Sequence, residues 1–134
     1  MTAKCADIAL PRMAALVLDS NVETRNLASA LLEEVGLYVV ECPCARSALE
    51  TLNWTARDTI LVMTDDARLG DIYGIAFARE ANEKWPWISV LIQSSDPNPW
   101  PGMPSSTIFI SKPWFPMQVL IEAERAVDAA RNFR

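Results

Sequence analysis

The chain has 134 residues, enough for one domain built on one core. It carries 12 basic and 17 acidic residues, a formal charge of −5, and no histidine. The missing imidazole excludes a Ser-His-Asp triad, a His-ligated metal and a phosphohistidine carrier within this chain, and the acidic balance without a basic stripe speaks against a nucleic-acid surface. Three cysteines, Cys5, Cys42 and Cys44, are too few and too closely spaced for a structural zinc site and are expected to be reduced thiols of a cytoplasmic protein. No run approaches the roughly 18 apolar residues of a membrane span. Residues 1–13, broken by Asp7 and Pro11, are expected to be a short leader and 14–134 the domain.

Ala14 to Leu18 is a short apolar run, expected to be a first buried strand, and Asp19-Ser20-Asn21 after it suits a turn and a helix N-cap. Leu27, Leu31, Leu32 and Val35 recur at helical spacing until Gly36 stops them. Leu37 to Cys42 is expected to be a second strand, and Ala45, Ala48, Leu49 and Leu52 mark a second helix. Thr59 to Asp65 is a third strand that turns polar at Asp65-Asp66, and Gly74 to Lys84 is its helix, bounded by Pro86. Ile88 to Gln93 is expected to be a fourth strand. Four prolines between Ser94 and Ser106 (Pro97, Pro99, Pro101, Pro104) predict mostly irregular structure, because each interior proline removes a donor and clashes with the preceding turn. Thr107 to Ser111 is a fifth strand and Phe115 to Asn132 a last helix. Strands alternating with helices through short links define an α/β fold, a doubly wound parallel sheet of five strands. In such sheets sites form beyond the carboxyl ends of the strands, where Asp19, Asp66 and Lys112 fall.

Leu16-Val-Leu-Asp19, the eight-residue step from Asp66 to Gly74, Ser94 after the fourth strand and Ser111-Lys-Pro-Trp114 occur in order. With this set the chain resembles the receiver domain of bacterial two-component response regulators, of the short stand-alone type. The resemblance implies a flavodoxin-like sheet of order 2-1-3-4-5 with the fourth helix reduced or absent. It implies Asp66 as phosphoacceptor, taking a phosphoryl group from a histidine kinase or phosphotransfer protein, and Mg²⁺ held by Asp19, Asp66 and the backbone carbonyl of Arg68. It implies Ser94 and Lys112 as phosphoryl-binding residues, Phe109 as an aromatic switch residue, and a cis Lys112-Pro113 bond. Its activity would be limited to self-phosphorylation and autodephosphorylation, and its output a contact with another protein. Neither nucleic acid nor membrane is an expected partner.

The chain departs from that pattern at Ser20, which stands where a second acid ordinarily binds the metal, so Mg²⁺ binding is expected to be weak. Strand alternation is expected to turn Asp65 away from the site that Asp66 faces. Three functional classes follow: a phosphoacceptor receiver, a phosphorylation-independent module that binds partners constitutively, and a flavin binder on the same fold. The last lacks a Gly-rich or Ser/Thr-rich loop at the first strand end.

Overall fold

The computed structural model describes residues 13–95, 102–104 and 106–133. In chain order they form β1 (Ala14–Leu18), α1 (Val22–Glu34), β2 (Tyr38–Cys42), α2 (Ala45–Thr55), β3 (Thr59–Asp65), β4 (Arg68–Leu69), β5 (Ile72–Tyr73), α3 (Gly74–Lys84), β6 (Ser89–Ser94), β7 (Ile108–Ser111) and α4 (Pro116–Phe133). Five of the strands make one parallel sheet in the order β2-β1-β3-β6-β7, which is the expected 2-1-3-4-5. The two-residue strands β4 and β5 pair antiparallel as a separate hairpin. The sequence gives no expectation of it, since two residues per strand carry no period.

Consecutive strand residues feed opposite faces of the sheet. Ala15, Val17, Leu61, Met63 and Leu91 pack with Leu32 of α1 and with Val119, Ala123 and Val127 of α4. Leu16, Leu18 and Val62 pack with Ala48 and Leu52 of α2 and Phe77 of α3, while Val90 and Ile92 meet Ile75 and Ala78 of α3. Fully burying such a side chain is worth about 1.5–3 kcal/mol, so both layers are fastened mainly by apolar contact. Because β1 and β3 are buried on both faces, each reads as an unbroken apolar run.

The helix ends follow local chemistry. Asn21 caps α1, its side chain accepting the Thr24 N–H at 3.0 Å. Gly36, at φ +91°, lets the chain leave α1 with the Leu37 N–H returning to the Leu32 carbonyl. At α4 the Gln118 side chain accepts the Phe115 N–H at 2.8 Å and the Gln118 N–H donates to the Phe115 carbonyl at 2.9 Å. Of the stretch between β6 and β7, residues 95, 102–104, 106 and 107 are described and none is helical. Pro97, Pro99 and Pro101 lie outside the described residues, as does the expected leader apart from Met13.

A candidate phosphoacceptor crevice

Four polar side chains converge at the carboxyl end of the sheet. Strand register decides which. Leu18 lies beside Thr64, so Asp19 lies beside Asp65, and Asp65 is in turn paired with Gln93. Asp19 continues the row of Ala15 and Val17, Asp65 that of Leu61 and Met63, Gln93 that of Leu91, and Lys112 that of Ile110. All four therefore belong to the face covered by α1 and α4.

Lys112 Nζ lies 2.6 Å from Asp65 Oδ2, and the Ala67 N–H donates to Asp65 Oδ1 at 3.0 Å. The Asn21 N–H donates to Asp19 Oδ1 at 2.8 Å, and Gln93 Nε2 donates to Asp19 Oδ2 at 2.5 Å. Gln93 Oε1 accepts from Trp114 Nε1 at 2.7 Å. Asp19, Asp65 and Gln93 are buried, and Lys112 is the more exposed partner of its pair. Burial pushes the Asp19 carboxyl up from 3.8; the Asn21 N–H opposes this, the nearby Asp65 charge adds to it, and the net direction is up. Burial also pushes Asp65 up, but the Lys112 ammonium and the Ala67 N–H outweigh it and hold Asp65 below 3.8.

The expectation that strand alternation parts the two adjacent acids is not met. Asp65 shares the crevice with Asp19 and Lys112, and its carboxyl is hydrogen-bonded with that of Asp66, which lies one residue beyond β3 where alternation no longer applies. The side chain of Asp66 accepts from the Ser94 hydroxyl at 2.5 Å, and its N–H donates to the Gln93 carbonyl. The β4–β5 hairpin fills the link between β3 and α3. Gly74 folds back onto the end of β3, where a Cβ would stand 1.6 Å from the Asp65 carbonyl oxygen. Ser94 is buried beside Asp66, and its carbonyl accepts the Lys112 N–H at 2.9 Å.

The remaining expected residues are also located. Ser20 is exposed and Asp19 is buried. The backbone of Arg68 lies in β4, paired with Tyr73, while the carbonyl two residues beyond Asp65 belongs to Ala67 and accepts the Gly74 N–H at 2.9 Å. Phe109 packs against Ile75, Ala78, Val90 and Ile92 on the α3 face. The Lys112–Pro113 peptide is cis. Gln93 and the Trp114 indole are the polar groups that sequence reasoning misses. Their signal, a lone amide inside Ser-Val-Leu-Ile-Gln-Ser94, is too short to distinguish a site residue from a strand end.

No family profile and no curated protein sequence matches the chain. Among solved structures it is similar to a response regulator receiver domain protein from Clostridium thermocellum, with TM-score 0.79 and 19% identity over 91% of this chain and 99% of that one. It is also similar to the receiver domain of NtrX from Brucella abortus, with TM-score 0.68 and 27% identity over 85% and 98%. The chemotaxis response regulator CheY4 of Vibrio cholerae aligns with TM-score 0.71 and 17% identity over 86% and 98%. The fold is that of a response-regulator receiver domain. Among the described residues no helix is long and apolar enough to cross a membrane.

Proposed function

We propose that the chain is a receiver that accepts a phosphoryl group on Asp65 from the phosphohistidine of a partner kinase or phosphotransfer protein and signals by contact with another protein. The observation that carries this reading is the Asp65–Lys112 pair, with Asp19 beside it, at the carboxyl end of the sheet. The attacking atom is a carboxylate oxygen of Asp65. An O–P bond forms to Asp65, the P–N bond to the kinase imidazole breaks, and the imidazole leaves with that electron pair. Lys112, a mobile point charge already at Asp65, meets the negative charge of the arriving phosphoryl group. The reading places the chain in the cytoplasm, where Cys42 and Cys44 would stay reduced.

Mg²⁺ is the cofactor this reading implies. Asp19 and Asp65 are the oxygen donors such an ion takes, and one or two carboxylates with several waters are its ordinary complement. No cluster of three or more His, Cys, Asp or Glu residues is gathered among the described residues, and exposed Ser20 adds no charge, so the fit is to a weakly held ion. When bound, Mg²⁺ would add positive charge beside the transferring phosphoryl group.

A second reading has its own support. Each of the four carboxylate oxygens of Asp19 and Asp65 already has a donor, as suits a crevice that is never loaded and a module that binds partners unmodified. Incubation with acetyl phosphate and Mg²⁺, followed by intact mass, separates the two. The receiver reading expects one added phosphate on the wild type and on Asp66→Asn, and none on Asp65→Asn. No added mass on the wild type leaves the unmodified module. Phosphate retained on Asp65→Asn and lost on Asp66→Asn returns the acceptor role to Asp66.

A further inference from the structure

Gln93 stands at a strand position where an aliphatic side chain would pack as its neighbour Leu91 does, yet it is an amide only 2% exposed. Burying an amide is costly unless both its ends are bonded. Both are: Nε2 donates to Asp19 Oδ2 and Oε1 accepts from the Trp114 indole. Three separate segments, the ends of β1 and β6 and the link from β7 to α4, are thereby tied through one side chain.

The tie has a chemical consequence at Asp19. Oδ1 is held by the Asn21 N–H within its own turn, a short-range bond fixed by the backbone. Oδ2 is held by Gln93, whose side chain can rotate away. A groove of 390 Å³ lined by Thr24, Leu27, Gln93, Lys112, Pro113 and Trp114 lies directly beside it and gives the amide somewhere to go. Charge entering the crevice therefore meets Gln93 as the yielding contact.

We propose that Gln93 is a positioning residue that latches the crevice: its amide competes with a divalent cation for Asp19 Oδ2, and its release frees the Trp114 indole at the groove. The inference rests on the receiver reading of the crevice and adds its regulation. It makes Trp114 the reporter of cation occupancy, and by linkage makes anything that pulls Trp114 outward an aid to cation binding.

The test is a titration of the full ¹⁵N-labelled chain with Mg²⁺ alone, following the indole N–H signal that Trp114→Phe removes and the Asn21 amide. Both signals should move in the wild type with one apparent Kd. Gln93→Leu, which deletes the competing donor, should bind Mg²⁺ about tenfold more tightly, the equivalent of one hydrogen bond to a charged group. Gln93→Glu should bind more tightly still, since it adds a carboxylate while keeping an acceptor for Trp114, and Trp114→Phe should tighten binding by a smaller factor. Should Gln93→Leu fail to fold, Gln93→Glu and Trp114→Phe carry the comparison. Equal Mg²⁺ affinity across the set, absence of binding in all of them, or an Asn21 amide that moves while the Trp114 indole does not, overturns the latch. The receiver reading fails separately: no phosphate mass from acetyl phosphate, with Gln93 variants still tighter for Mg²⁺, removes phosphorylation and keeps the latch.

Discussion

Lys112 binds Asp65 and leaves the next residue, Asp66, to Ser94. Removing either member of the pair has unequal effects. Lys112→Met strands a buried carboxylate beside Asp19 and is expected to cost about 1–3 kcal/mol of stability. Asp65→Asn should cost less, because it relieves the repulsion that Asp65 exerts on Asp19 and still offers Lys112 an oxygen. Urea unfolding of both variants in metal-free buffer measures this, and a larger loss for Asp65→Asn would contradict it.

The two carboxyls respond to pH in opposite senses. Asp65 sits below 3.8 in the folded chain, so its contribution is present above 3.8 and is lost as pH falls through the folded value. Asp19 sits above 3.8, so between 3.8 and its folded value the folded chain keeps a proton that the unfolded chain has released. Stability from that group declines as pH rises through the window. Thermal melts with a chelator present should therefore show Asp19→Asn improving relative to wild type as pH rises from about 4. They should show the deficit of Asp65→Asn shrinking as pH drops below that point. Parallel curves would contradict both assignments.

The sheet was legible because its strands are buried on two faces and so appear as plain apolar runs, Ala14–Leu18 and Thr59–Met63 above all. Asp19 was legible because it directly follows such a run, and Lys112 because it stands between the end of β7 and a proline. That Lys112 pairs with Asp65 was not, because it depends on register between strands far apart in the chain. Counting alternation from Val17 to Asp19 and from Met63 to Asp65 puts these two acids in one row. Gln93 was hidden for a different reason: its two partners lie in other segments, and an amide has no charge to announce them.

Gly74 is required for contact and not for its dihedral angles. A Cβ there meets the Asp65 carbonyl oxygen at 1.6 Å, so Gly74→Ala must displace the end of β3 or the start of α3. The expected loss is about 3 kcal/mol or more, at the upper end for overpacking. Gly36→Ala, with nothing within 4 Å but φ at +91°, should cost only about 1–2 kcal/mol of backbone strain. Denaturant midpoints for the two variants check the order, and Gly74→Ala should also weaken acetyl phosphate labelling where Gly36→Ala does not.

Arg25 braces the first strand end from α1. Its Nη1 donates to the Asp19 carbonyl at 2.8 Å and its Nε to Glu41 Oε1 at 3.1 Å. Arg25→Met keeps the apolar stem and removes both bonds, with an expected loss of about 1–2 kcal/mol. Glu41→Gln, which keeps an acceptor on a partly exposed side chain, should lose less than 1 kcal/mol, as a surface pair does. Equal losses would assign the brace to the ion pair and not to the carbonyl.

The five strands of the parallel sheet run toward the crevice, and α4 leaves it at Pro116 and runs back along the sheet for 18 residues, roughly 27 Å at helical rise. Met13 and the last turn of α4 therefore stand at the end of the domain remote from Asp65. A dye, a spin label or an affinity handle joined at either place would tumble with the molecule without shading the crevice. Two probes placed there would form a fixed baseline against which movement of a third, near Trp114, could be measured.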